Sequence, residues 1–258
     1  MTDNISHAAE EWYGIKVDPD DAKKLKEHLK KTYGDINEQI IKKVFSSGEA
    51  AEFLTVNETY FFREPVHFSL LKDYLSALCE ETGNVSPNVQ ICCAAVSAGC
   101  EAYSIAMLME DFNRSISPPV SYHIDAFDIN PKMIETAGKG VYSPRAMRED
   151  GSAFHCIADS YLKKLENGYQ ADLSLKKKIN FFVHNLLDDL PPKKYDIIFF
   201  RNAFIYFPPH NREKVLFNLS EALEKGGILI MGVSETSGVQ HPSLERVIKN
   251  DVFHFKKL

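Results

Sequence analysis

The chain has 258 residues, 44% hydrophobic and 26% charged, and Lys plus Arg at 30 against Asp plus Glu at 36 leaves a net charge of −6. Such a composition describes a folded globule, excludes a disordered tail protein, and speaks against a dedicated nucleic-acid binder, which would carry a basic excess. No apolar run is long enough to span a bilayer, and the opening MTDNISHAAEEW has no basic-then-apolar leader, so a cytoplasmic protein is expected.

In chain order, the first 55 or so residues read as helical and polar. Residues 18–34 begin with Asp18 and Pro19 and continue into a lysine-rich face around Leu25 and Leu29, an order that suits the helix dipole. Residues 37–54 predict another helix, interrupted near Gly48, and a third follows Pro65 and stops at Gly83. The pattern then changes. VQICCAAV (89–96) is a continuous apolar run, as expected of a strand covered on both faces. It feeds the turn SAGCE and a helix. A second strand, 122–129, contains Asp128 and precedes a helix opening at Pro131. Further strands are predicted at 179–187, 195–207 and 227–235, with a helix over 211–227 and a closing strand at 252–258. This alternation predicts a mostly parallel sheet with helices on both faces. Residues 143–178 are too long for a simple connection and predict a small inserted substructure.

The five cysteines, Cys79, Cys92, Cys93, Cys100 and Cys156, are odd in number and lack a CxxC spacing, as expected of reduced thiols. The nine histidines show neither HxxxH nor HxH, so no metal centre is predicted. The chemistry gathers instead at the turn 97–101. A strand, a glycine turn and a helix N-terminus make a seat for an anion or nucleotide, with Gly99 read as letting a ligand approach. Asp128, near the end of the next strand, is the group to take two ribose hydroxyls; its plainer reading is a helix N-cap before Pro131. Glu101 suits a ligand ammonium, or simply the helix dipole. One glycine is not GxGxxG, which favours S-adenosylmethionine over a nicotinamide dinucleotide.

Three separated segments then resemble the CheR-type chemotaxis receptor methyltransferases: VNETYFFREPVHF (56–68), SAGCEAYSIAM with AFDIN (97–107 and 126–130), and NLLDDLP followed by YDIIFFRNAFIYF and EKGGILIMGVSE. The resemblance implies a Rossmann-like S-adenosylmethionine-dependent methyltransferase sheet (α/β), divided into an N-terminal helical region 1–55, a methyltransferase domain 56–258 and an inserted subdomain 143–178. It implies that Asn57, Thr59, Arg63, Glu101, Asp128, Asn185, Leu186, Arg201 and Asn202 bind the cofactor, and that Arg63 and Tyr206 act at the transferred methyl. It implies methyl transfer to glutamate carboxylates on chemotaxis-receptor helices, S-adenosylhomocysteine as the product, and a monomeric enzyme. A glutamate is already ionised at neutral pH, so no strong general base is needed. Cys100 replaces the first acid of the family's turn, and Val233 precedes Ser234 and Glu235 where the family has a histidine. The N-terminal region is short, with Lys23, Lys24, Lys26, Lys30 and Lys31 where the family has an arginine-rich helix. Two other readings compete. A non-catalytic S-adenosylmethionine-binding module has no need of Arg63 and Tyr206, and a nicotinamide oxidoreductase lacks its glycine fingerprint.

Overall fold

The structure is a computed structural model that describes residues 2–148 and 154–258. Four helices open the chain: α1 (Thr2–Tyr13), α2 (Pro19–Tyr33), α3 (Glu38–Ser46) and the short α4 (Ala51–Leu54). Asp18 caps α2 by accepting the Asp20 N–H, and Asn37 caps α3. Helix α5 (Val66–Thr82) leads into β1 (Asn88–Ala94), α6 (Cys100–Asn113), β2 (Ser121–Asp128) and α7 (Pro131–Lys139). The inserted stretch follows: β3 (Val141–Tyr142), a 3₁₀ turn at Pro144–Ala146, α8 (His155–Tyr161), β4 (Leu162–Leu165), β5 (Gly168–Ala171) and α9 (Leu173–Lys176). Then come β6 (Ile179–Val183), β7 (Tyr195–Phe200), a 3₁₀ turn at Phe204–Tyr206, α10 (Pro209–Ala222), β8 (Leu223–Met231), β9 (Leu244–Lys249) and β10 (Val252–Lys257).

Seven strands form one sheet in the order β6-β2-β1-β7-β8-β10-β9. The first five are parallel, and β10 runs antiparallel to both β8 and β9. Alternation along the central strands feeds two cores. Ile91, Cys93, Ile197 and Phe199 pack on one face with α5 and α6. Cys92, Ala94, Ile198 and Phe200 pack on the other with α10 and the N-terminal helices, which contribute Ile5, Leu25, Leu29 and Phe45 to that same core. Strand order reverses between β1 and β7, which opens a crevice at the carboxyl ends of these strands. The inserted stretch builds a separate three-stranded sheet, β3-β5-β4. Residues 149–153 of the 143–178 insertion lie outside the described residues.

Several element bounds differ from the sequence reading, each for a local reason. β7 ends at Phe200, not residue 207, because Asn202 adopts a left-handed backbone (φ +57°) and the chain turns into the 3₁₀ segment. The helix expected over 211–227 stops at Ala222, since Leu223 already pairs with Tyr195 and a register shift follows. Gly227 sits at that irregularity; a Cβ there would lie 3.0 Å from the Asp196 carbonyl oxygen. β9 was not anticipated. Its signal is the dipeptide Asn250–Asp251, both residues left-handed, which closes the β9–β10 hairpin. Among the described residues no helix is long and apolar enough to cross a membrane.

Candidate active site

The crevice is built by four turns at the strand ends. β1 leaves the sheet through Ala95 and Ser97, both left-handed, and reaches α6 through Gly99 (φ +88°). The Ser97 N–H donates to Asp128 Oδ2 at 2.7 Å, and the Asn130 N–H donates to Asp128 Oδ1 at 2.9 Å. Asp128 is thus not the N-cap of α7. That role belongs to Asn130, whose side chain accepts from Lys132 and Met133 while donating to Thr55 Oγ1 and the Ala51 carbonyl. Burial pushes the Asp128 carboxyl up, against the pull of its backbone N–H donors.

Gly99 corrects the sequence reading. A Cβ there would meet the Ala137 side chain at 2.7 Å and the Phe181 ring at 3.1 Å, so glycine is required by the left-handed turn and by packing of the turn on α7 and β6. It does not serve ligand approach. Cys100 is fully buried, its thiol meets Thr59, and burial pushes it up to about 12. It is packing, with no exposed thiolate to react.

The segment 56–65 is laid across the crevice by its aromatic pair. Phe61 and Phe62 are buried, and Phe62 meets Phe68 edge-on at 5.0 Å and stacks on Phe154 at 5.3 Å. The Phe61 N–H donates to the Ala146 carbonyl and the Phe62 N–H to Ser104 Oγ. Asn57 donates to the Thr55 carbonyl, and its own carbonyl accepts from Ser97 Oγ. Asn57 and Thr59 cap no helix, since none follows them until Val66.

Arg201, at the end of β7, is buried with its side chain only 2% exposed, and it binds two acids. Nη1 donates to Glu101 Oε2 at 2.9 Å; Nη2 donates to Glu64 Oε2 at 3.2 Å and to the Arg63 carbonyl. Glu64 was not singled out from the sequence, yet it joins three segments. It accepts from Arg201, from Asn202 Nδ2 at 3.1 Å and from the Val233 N–H at 3.3 Å, and it lies 3.3 Å from His67 Nδ1. Burial works against its ionised form, but His67, Arg201 and Asn202 together hold its carboxyl well below the usual range. Glu101 keeps Oε1 with no protein partner among the described residues; burial pushes it up and Arg201 opposes.

Glu235, the acid left without a role by the sequence reading, accepts from the N–H groups of Asn202, Ile205 and Gly232. It fixes the 3₁₀ turn that carries Tyr206. Burial raises the Tyr206 phenol, and the neighbouring Arg63 charge lowers it, so the group stays protonated at neutral pH. Asn185 donates to the Trp12 carbonyl at 2.7 Å and accepts the Leu187 N–H, which ties the β6 turn to α1. Phe62, Glu64, Ala95, Ser97 and Asn202 all hold positive φ without being glycine. This is a concentration of backbone strain of the kind functional sites retain.

Asn57, Thr59, Arg63, Glu101, Asp128, Asn185, Leu186, Arg201, Asn202 and Tyr206 all line this one crevice, which encloses about 1010 Å³ open to solvent. Tyr13 and Ile15, which sequence reasoning passed over, wall it from the N-terminal side. The donor set fits a nucleoside with an amino-acid tail. Both Asp128 oxygens keep acceptor capacity beyond their backbone bonds, Glu101 offers a free oxygen for an ammonium, and Phe127, Ile129 and Leu186 give an apolar wall for a base.

A family described as CheR methyltransferase, SAM binding domain, matches residues 57–253. The chain is 36% identical over 195 residues to a chemotaxis protein methyltransferase of Vibrio parahaemolyticus, covering 72% of this chain and 67% of that one. It is 32% identical over 205 residues to a chemotaxis protein methyltransferase of Listeria monocytogenes, covering 79% and 74%. It is 29% identical over 189 residues to a probable biofilm formation methyltransferase, WspC, of Pseudomonas putida, covering 72% of this chain and 43% of that one. With a crevice lined by Asp128 and Glu101 at the switch point of a Rossmann-like sheet and these matches over most of its length, the chain belongs to the CheR family of methyltransferases and uses S-adenosylmethionine as its cofactor.

Proposed function

We propose that the protein methylates glutamate side-chain carboxylates on chemotaxis receptors. The observation that carries this reading is that Arg63 and Tyr206 line the same crevice, while the other arginine lining it, Arg201, is already engaged by Glu64 and Glu101. The Arg63 side chain is a quarter exposed, and a planar cation with paired donors is matched to a carboxylate. S-adenosylmethionine, when bound, supplies a methyl group on a cationic sulfur and leaves as S-adenosylhomocysteine. Asp128 would hold its ribose, Glu101 its ammonium, and Asn185 with Leu186 its adenine, while Asn57 and Thr59 face it from the segment above. Arg201 and Asn202 act one step back, fixing Glu101 and Glu64. Arg63 orients the acceptor carboxylate, and the protonated Tyr206 hydroxyl donates to it. An ionised carboxylate needs no general base, so the work of the side chains is alignment and exclusion of water, worth roughly 7–11 kcal/mol in favourable cases. The exposed lysines of α2, Lys23, Lys24, Lys30 and Lys31, offer an electropositive face to an acidic receptor helix.

Methyl-labelled S-adenosylmethionine incubated with receptor cytoplasmic fragments should place label in a base-labile, volatile form, as a carboxyl methyl ester requires. Label that resists base would overturn the glutamate reading. Asp128→Ala should weaken S-adenosylhomocysteine binding by about 1–3 kcal/mol in calorimetry, through loss of charge-assisted hydrogen bonds. Unchanged affinity would remove Asp128 from the ribose site.

A further inference from the structure

Arg63 is one of two arginines at the mouth of the crevice. Its Nη1 donates to the Glu58 carbonyl at 3.0 Å, and its Nη2 lies 4.0 Å from Glu58 Oε2. The other oxygen, Glu58 Oε1, accepts from Arg148 Nη2 at 2.5 Å. Both guanidiniums lie over the Tyr60 ring, Arg148 at 4.2 Å from its centroid and Arg63 at 5.5 Å. Glu58, Tyr60 and Arg63 line the crevice, whereas Arg148 arrives from the inserted stretch just after the 3₁₀ turn at Pro144–Ala146. A glutamate carboxylate therefore sits between two cations stacked on one aromatic ring.

We propose that Arg148 is a second acceptor-binding arginine, and that the Glu58 side chain occupies, in the free protein, the position of an incoming acidic side chain. This rests on the acceptor reading above and extends it to a named clamp. Three features carry it. The Glu58–Arg148 pair is half-exposed on both sides, so solvent screens it and it exchanges easily. Replacing one carboxylate by another of the same type costs little, because every hydrogen bond lost has an equivalent gained. The Tyr60 face holds both guanidiniums in place while the exchange occurs. A charged clamp of this form also separates Glu from Gln, which has the same shape and no charge. On a helical acceptor, an acidic neighbour one turn away would reach Arg148 while Arg63 holds the reacting carboxylate.

The test uses the full chain saturated with S-adenosylhomocysteine and two fluorescein-labelled helical peptides. One carries two glutamates a helical turn apart, and the other carries glutamines there. In low salt, anisotropy should show the wild type preferring the Glu peptide by about fivefold or more. Arg148→Ala should reduce that preference to within about twofold, and Arg148→Lys should keep part of it, because the charge survives without the fork. Glu58→Gln should tighten the Glu peptide by about threefold or more, since the resident carboxylate no longer competes. A wild type blind to Glu against Gln, an Arg148→Ala variant that keeps the preference, or a Glu58→Gln variant that binds more weakly would each overturn the clamp. The labelling experiment separates the two failures. Absence of a base-labile ester in the wild type removes the acceptor reading; an ester formed by Arg148→Ala with unchanged acceptor KM removes the clamp alone.

Discussion

Arg201→Met should destabilise the protein by about 3–5 kcal/mol, because removing one partner of a buried ion cluster leaves its counter-charges uncompensated. Glu64 and Glu101 are only 22% and 14% exposed, so water repairs little of the loss. At roughly 2–4 °C per kcal/mol for a chain of this size, the melting temperature should fall by about 10 °C. The effect also has a pH signature. In the wild type the depressed Glu64 carboxyl contributes stability above its unfolded pKa, and that contribution is lost as pH falls through the folded value. In the variant the Glu101 carboxyl, already pushed up by burial, loses the cation that opposed the shift and rises further, and Glu64 keeps only His67 and Asn202 against its burial. The penalty should then ease as pH falls, so urea midpoints of variant and wild type should converge from pH 8 toward pH 5. Adding Glu64→Gln and Glu101→Gln to Arg201→Met should recover much of the stability, since a neutral cluster has no stranded charge. A deficit below about 1 kcal/mol, independent of pH, would show that solvent screens the cluster as it does a surface pair.

The sheet was legible because its central strands are covered on both faces and therefore read as continuous apolar runs, as in YDIIFF and QICCA. The ends of those strands were not. Where β7 gives way to a left-handed Asn202, the determinant is a hydrogen bond to Glu235 from 33 residues further on, which no local window contains. Gly99 shows the opposite error. Its backbone requirement was readable in the turn, but the neighbour that forbids a side chain, Ala137, comes from a helix two elements later. The crevice residues could be named from motif resemblance, while their connections could not. Arg201 looks like a ligand-facing cation in sequence, and in space both its terminal nitrogens are taken by Glu64, Glu101 and the Arg63 carbonyl. Glu64 follows Arg63 directly, and an acid beside the lone arginine of an aromatic segment is the available signal for it. The N-terminal helices were read as a region apart, yet Trp12 and Tyr13 reach the crevice wall through Asn185 and the lining itself.

The engagement of both terminal nitrogens of Arg201 sharpens what is expected of Arg63. If Arg63 only shaped the cofactor seat, Arg63→Ala would lower cofactor affinity and turnover together. The geometry points elsewhere: Arg63 lines the crevice together with Tyr206, donates to the Glu58 carbonyl, and makes no hydrogen bond to Asp128 or Glu101. Arg63→Ala should therefore cut kcat by about 10²–10³, the range seen when a single positioned donor to a reacting oxygen is removed. S-adenosylhomocysteine affinity in calorimetry should stay within about threefold, well under the 1.4 kcal/mol that a tenfold change represents. Arg63→Lys should recover only part of the rate, since an ammonium keeps the charge but not the fork that aligns a carboxylate. The split between the two measurements is the decisive reading. Equal losses in turnover and cofactor binding would return Arg63 to the cofactor seat, and unchanged turnover would leave Tyr206 to align the acceptor alone.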